Sequence, residues 1–203
     1  MAATKDFVIE QGKTFQHVLR WEAPPYIYKP ISGITQAAPA VVTAATHGVP
    51  NGWRVAIVSV KGMTAINAVN DPPKTSEYKR ATVLTANTIE LNDVNSADYK
   101  PYTSGGYVQY LTPVDMGGFT ARMQIKDKVG GVVLASTEVG DTPLDTITIT
   151  IDNVAKTISL LISAADTAAL TWTKGVYELE MINGGVVTAL LTGKITVTKE
   201  VTT

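Results

Sequence analysis

From Ile147 to Val201 the chain alternates apolar and polar residues through four successive runs. Ile147, Ile149 and Ile151 alternate with Thr148 and Thr150, and a turn at Asp152-Asn153 leads to Ile158, Leu160 and Ile162. Tyr177, Leu179 and Met181 alternate with Glu178 and Glu180. After Asn183-Gly184-Gly185, Val187, Ala189, Leu191, Ile195 and Val197 sit at odd positions, with Thr188, Thr192, Lys194, Thr196 and Thr198 mostly between them. Successive side chains on a strand point to opposite faces, so a period of two means one buried face and one wet face. These runs predict four β-strands in a row and a sheet protein.

The rest of the chain divides around that block. Phe7-Val8-Ile9-Glu10 reads as a short strand ending at a Gly12 turn, and Phe15, His17, Leu19 and Trp21 alternate through a second. Ala23-Pro24-Pro25-Tyr26 stops it, because proline brings no amide hydrogen to a ladder and marks a loop or a sheet edge. Two strands alone are marginal in water, so these are expected to pair with strands from beyond Pro113. The alternation resumes at Phe119, Ala121, Met123 and Ile125, and Gly130-Gly131 turns into Val132-Val133-Leu134. A hydroxyl three residues before a carboxylate at Ser163-Ala164-Ala165-Asp166 predicts one helical turn. The texture from Ile31 to Thr112 differs, with Pro39, Pro50-Asn51-Gly52 and Asp71-Pro72-Pro73 interrupting short strands near Val55, Val83, Ile89 and Val108. The expected organisation is one sandwich from residues 1–30 plus 113–203, with 31–112 as an inserted small β-module.

Composition narrows the function classes. The chain of 203 residues carries 17 basic and 18 acidic residues, without the basic excess of a dedicated nucleic-acid binder. Its charged fraction of 17% lies below the usual value of about 25%, and Thr, Ala and Val fill the difference. A neutral, hydroxyl-rich surface suits contact with other proteins, and suits a plain β-sheet equally. With no cysteine, disulfides, thiolate metal sites and a cysteine nucleophile are excluded. No apolar run approaches the roughly 18 residues of a membrane span. Met1-Ala2-Ala3-Thr4-Lys5-Asp6 lacks the apolar core of a signal peptide, so no Sec-type export is expected.

No motif names a reaction. His17 shares a face with Phe15, Leu19 and Trp21 and reads as a histidine at the core rim, while His47, beside Gly48, reads as a turn residue. Asp93-Val94-Asn95-Ser96-Ala97-Asp98 offers oxygen ligands but lacks the glycine and distal glutamate of an EF-hand loop, so turn hydrogen bonding is the expected role. Glu178 and Glu180 share one strand face, about 6–7 Å apart, as any i, i+2 pair does. Ser104, Ser136 and Ser163 lack a GxSxG context. The paired glycines at 105, 117, 130 and 184 read as turns, since no helix follows to bind phosphate. Tyr26, Tyr28, Tyr99, Tyr102 and Tyr107 form the one candidate contact surface, for protein or glycan, against the alternative that they pack loops. No cofactor or metal is expected.

Two sets of segments carry a resemblance. Asp6-Phe7-Val8-Ile9-Glu10-Gln11-Gly12-Lys13-Thr14-Phe15, Ala121-Arg122-Met123-Gln124-Ile125-Lys126-Asp127, Gly175-Val176-Tyr177-Glu178-Leu179-Glu180 and Leu191-Thr192-Gly193-Lys194-Ile195-Thr196-Val197 together resemble the Ig-like N-terminal domain of upper-baseplate-type tail proteins of tailed phages. Tyr177, just after the Gly175-Val176 corner, resembles the tyrosine corner of Greek-key sandwiches. Pro39 to Gly48, Gly62 to Asn67 and Tyr102 to Gly106 are similar to a small β-module found after the first catalytic-cysteine half-domain of ubiquitin-activating enzymes. Without cysteine, thioester chemistry does not carry over from that module.

The resemblance implies an all-β, Ig-like β-sandwich with an inserted small β-barrel or sandwich module. It implies a non-enzymatic structural component of a tailed-phage virion, made in the host bacterial cytoplasm and located at the tail, baseplate or neck. The expected partners are other virion proteins and further copies of the chain, with no nucleic acid and no membrane. The rival reading is a capsid decoration or host-glycan-binding module; an enzyme is disfavoured because no acid/base pair stands out.

Overall fold

A computed structural model describes residues 2–138 and 147–200; Val201, the end of the last alternating run, lies outside the described residues. The chain forms two compact units, Met1–Trp21 with Asp115–Thr203, and Glu22–Val114. The first begins with β1 (Ala3–Thr4), β2 (Phe7–Glu10) and β3 (Phe15–Leu19). The second holds β4 (Glu22–Pro30), β5 (Gly33–Ile34), β6 (Ala40–Thr43), β7 (Arg54–Val58), β8 (Lys79–Thr85), β9 (Thr88–Leu91) and β10 (Tyr107–Pro113). The chain then returns to the first unit with β11 (Thr120–Lys126), β12 (Val133–Ser136), β13 (Thr148–Asp152) and β14 (Thr157–Ile162). A short helix, α1 (Ala164–Ala168), precedes β15 (Lys174–Asn183) and β16 (Val186–Thr198). The protein is thus all-β, and among the described residues no helix is long and apolar enough to cross a membrane.

The first unit is a sandwich. One sheet has six strands in the order β1-β16-β15-β11-β12, with β2 also on β16; the other has three, β13-β14-β3. Leu179 of β15 and Leu191 and Ile195 of β16 point inward and join Phe7, Ile9, Met123 and Ile125 against Leu160 and Ile162 of the facing sheet, all buried. The expected alternation of β16 does not hold along its whole length: a register shift at Leu190 turns that residue to the core, leaves Ala189 opposite Glu180 and exposes Val187. Burying each such side chain contributes roughly 1.5–3 kcal/mol, enough in sum to order nine short strands without a crosslink. The strands β2 and β3 do not pair with each other. After the Gly12 turn, where φ is +74°, they part to opposite sheets: β2 runs parallel to β16 (Phe7 opposite Ile195), and β3 runs antiparallel to β14 (His17 opposite Leu160). The tip between β15 and β16 places Gly184 and Gly185 at φ +55° and +82°, a left-handed pair that other residues rarely adopt. Ser163 caps α1 by accepting from the Asp166 amide at 3.1 Å.

Two details of this unit depart from expectation or escape it. Tyr177 is buried, and its hydroxyl donates to the Lys5 carbonyl at 2.7 Å, 172 residues upstream. A tyrosine corner closes onto backbone only a few residues away, so Tyr177 is instead a clasp on the N-terminal strand. Burial, and then the Asp6 carboxylate, push its phenol well above the ordinary range. Opposite that clasp, Gly193 has no room for a side chain: a Cβ there would lie 2.0 Å from the Lys5 carbonyl oxygen. The close approach lets Lys5 N donate to the Thr192 carbonyl at 2.9 Å and Asp6 Oδ1 accept from the Lys194 amide at 2.8 Å.

The second unit is a seven-stranded sheet in the order β4-β10-β7-β8-β9-β6-β5. Its halves meet through only two residue pairs, Arg54 with Arg80 and Val55 with Lys79, and enclose one core around Trp53, Met63, Ile89, Leu91 and Tyr110. Polar side chains tie the long loops to that core. Asn67 brackets Val60, accepting from its amide and donating to its carbonyl. The buried Ser96 hydroxyl accepts from Ala37 N and reaches the Thr35 carbonyl at 2.7 Å. Glu77 accepts from the amides of Lys74, Val69 and Asn70.

Placing residues 1–30 with the sandwich is corrected here for the segment from Glu22 onward. Glu22–Pro30 is a strand of the second unit, paired antiparallel with β10. Pro24 and Pro25 fall in the register irregularity between the Tyr26–Leu111 and Ala23–Thr112 pairs and oppose no residue of β10, while Pro30 is accommodated because β4 is the edge of its sheet, where one side of the strand needs no donors.

Candidate interaction surface

The pairing of β4, β10 and β7 decides which side chains share a face. Tyr28 is opposite Gln109, which is opposite Ala56; Tyr107 is opposite Pro30 and Val58; Tyr26 is opposite Leu111. The alternate residues Ile27, Val108, Tyr110, Val55 and Ile57 turn to the core. Tyr26, Tyr28 and Tyr107 therefore stand on the outer face, with Tyr28 49% and Tyr107 42% exposed. Their ring centroids follow at 6.5 Å and 6.1 Å with interplanar angles of 61° and 89°.

A polar network fixes these rings. Gln109 is buried, and its Nε2 donates to the Tyr28 hydroxyl at 3.2 Å. Burial, then the neighbouring Tyr26 phenol, push the Tyr78 phenol up, against the opposing Arg54 guanidinium, which lies 5.1 Å from the Tyr78 ring centroid. Arg54 in turn is ion-paired with Glu22. The face is thus an ordered run from Glu22 to Tyr107, large in contact area and low in rotamer freedom.

The strand edge beside it is half open. Ile31 N donates to the Gly106 carbonyl at 3.0 Å, which makes Lys29/Val108 and Ile27/Tyr110 the pairs that exchange backbone bonds. The backbone groups of Tyr26 and Tyr28 point away from β10. Pro24, Pro25 and Pro30 flank them, a device that blunts open-ended strand addition.

Of the five tyrosines singled out from the sequence, three meet here and two do not. Tyr99 and Tyr102 are partly buried against the core of the same unit, and the Tyr102 hydroxyl donates to the Ile31 carbonyl at 2.8 Å, so these two pack loops. Arg54, Tyr78 and Gln109 were not singled out. Arg54 and Gln109 sit at outward positions of alternating strands, but their convergence depends on a register between strands far apart in sequence.

The other singled-out residues have local roles. His47 is buried; its Nδ1 accepts from Val49 N at 3.0 Å while Nε2 lies 2.9 Å from the Thr85 carbonyl, which sets the Nε2–H tautomer and the turn role. His17 is half-buried against Phe7 at 4.9 Å, and burial followed by the Lys5 charge holds its pKa below 6.5. Asn95 Oδ1 accepts from Ala97 N, an Asx turn. The Ser136 hydroxyl accepts from Glu138 N, and Ser104 pairs with Lys61 in an isolated bridge. Among the described residues no three His, Cys, Asp or Glu side chains converge to hold a metal ion.

Glu178 and Glu180 lie on the outer face of the six-stranded sheet, in a cavity of about 860 Å³ lined also by Asp6, Arg122, Lys126 and Lys194. Glu180 is bonded to Arg122 at 2.5 Å, whereas Glu178 is exposed. Comparison with protein-family models finds no match to this sequence, and comparison with curated proteins finds none either.

Proposed function

We propose that the protein is a non-enzymatic structural component of a tailed-phage virion, at the tail, baseplate or neck, working through protein–protein contacts in an oligomeric assembly. Its partners are other virion proteins and further copies of itself. The single observation that carries the contact role is the ordered tyrosine face of Tyr26, Tyr28 and Tyr107. Aromatic residues already fixed in place are enriched at protein interfaces because they desolvate a large area at little entropic cost. The rings stand steeply to one another and form no flat platform for a sugar ring, which favours a protein partner. The phage context rests on the resemblance of the sandwich strands to upper-baseplate-type tail proteins, and the low charge of the surface is in keeping with it.

The test is incorporation into particles. Purified virions of the encoding phage should contain the chain in a fixed copy number, and Tyr28→Ala with Tyr107→Ala should leave the protein folded while reducing its incorporation at least tenfold, as loss of an interface hot spot does. Absence of the wild-type chain from purified particles contradicts the virion reading; unchanged incorporation of the double variant contradicts the tyrosine face. The alternative, a capsid decoration or host-glycan-binding module, is favoured by the cavity beside Glu178, whose charged and hydroxyl side chains suit a polar saccharide. Binding on a glycan array, lost in Glu178→Ala, is its signature.

A further inference from the structure

Eight asparagines occur in the chain, and two of them, Asn51 and Asn183, precede glycine. An Asn-Gly step is chemically reactive. The glycine amide nitrogen attacks the asparagine Cγ, a nitrogen–carbon bond forms, and the side-chain amide leaves as ammonia with the proton released by the glycine nitrogen. Water then opens the cyclic imide to aspartate or isoaspartate. Glycine favours the step because no Cβ hinders the approach. Two conditions govern it in a folded chain: the glycine N–H must be free of a hydrogen bond, and the backbone must be able to rotate into the attacking geometry.

The two sites differ on both counts. At the first, Gly52 N donates to the Ala81 carbonyl at 2.8 Å and Asn51 Oδ1 accepts from Val83 N at 3.0 Å. Both reacting groups are tied to the strand Lys79–Thr85, so attack requires breaking two hydrogen bonds. At the second, Asn183 is the last residue of its strand, paired with Val186 across a two-residue loop. In such a loop the N–H of the first loop residue, here Gly184, points to solvent. Nothing lies within 4 Å of the position a Cβ would take on Gly184 or Gly185. Every residue from Asn183 to Thr188 is exposed, so the end of the hairpin extends past the core and opens at little cost.

We propose that Asn183 is a spontaneous deamidation site of the folded protein, and that the fold protects Asn51. The product adds one negative charge at the hairpin tip. Its isoaspartate form adds a methylene to the backbone and disrupts the pairing with Val186, leaving the tip permanently frayed.

The experiment ages the full-length protein in warm, mildly alkaline buffer and follows both sites by peptide mapping with mass spectrometry, in native buffer and in concentrated urea. In urea both sites should deamidate at comparable rates. In native buffer Asn183 should convert faster than Asn51 by on the order of tenfold or more, the effect of two intact hydrogen bonds. Equal native rates, a faster Asn51, or an Asn183 that reacts only in urea would each overturn the proposal. Asn183→Gln, which keeps the amide but forms the ring far more slowly, should abolish the charge heterogeneity that accumulates in the aged native protein; its persistence would also count against the assignment.

Discussion

Single residues fix the joints of this protein, and they do so mostly through backbone contacts. Glu77 is the clearest case. Its carboxylate gathers the amides of Lys74, Val69 and Asn70, and with Lys74 as the largest contributor its pKa is held at about 2 against an ordinary 4.5. Because the folded value is the lower one, the stabilisation is fully present above pH 4.5 and is lost as the pH falls toward 2. Glu77→Gln should lower the urea midpoint at neutral pH, and the gap to wild type should close on acidification through that window. A gap independent of pH would mean that the charge is not what closes the loop. Neither this role nor that of Gly193 was legible in the sequence. A glutamate in a loop and a glycine in a strand look ordinary until the amides and the Lys5 carbonyl that approach them are known.

Elements were legible where an unbroken period of two turns one face toward the core. The runs that became β13 to β16 each bury one face, so their alternation is strong, and the exposed Asn183-Gly184-Gly185 tip announced itself by its turn residues. The same alternation sets a test of face assignment. Leu179 and Ile195 are buried while Thr196 is exposed and Glu180 lies at the surface against Arg122. Leu179→Asp and Ile195→Asp should each cost several kcal/mol, since an unpaired buried carboxylate is expensive. Thr196→Ala should stay within about 0.5 kcal/mol and Glu180→Ala within about 1 kcal/mol. Equal urea midpoints for the four variants would contradict the assignment. β4 was illegible as a strand for the opposite reason. It is an edge with one partner, and its prolines, read as a stop, fall where the ladder makes no demand on them. The tyrosine face suffered likewise: Tyr26, Tyr28 and Tyr107 were visible by type, but Gln109, Arg54 and Tyr78 joined them only through long-range register.

At the scale of the whole molecule, the account holds that Met1–Trp21 with Asp115–Thr203 is complete without the segment between. The resumption of alternation after Pro113 was visible in sequence, whereas the boundary at Trp21 was not, because the prolines of Glu22–Pro30 read as a stop and hid the first strand of the second unit. The three N-terminal strands find partners only within the first unit, β1 and β2 on β16 and β3 on β14, and the second unit's own first and last strands pair with each other, Glu22 opposite Pro113. The direct measurement is urea unfolding of a chain in which Trp21 is joined to Asp115 through a short Gly/Ser linker, beside the segment Asp115–Thr203 alone. The account expects the joined chain to unfold cooperatively, with β-sheet circular dichroism, and the segment lacking the N-terminal strands to be unfolded or far less stable. A joined chain without a cooperative transition, or a segment Asp115–Thr203 as stable as the joined chain, would contradict it.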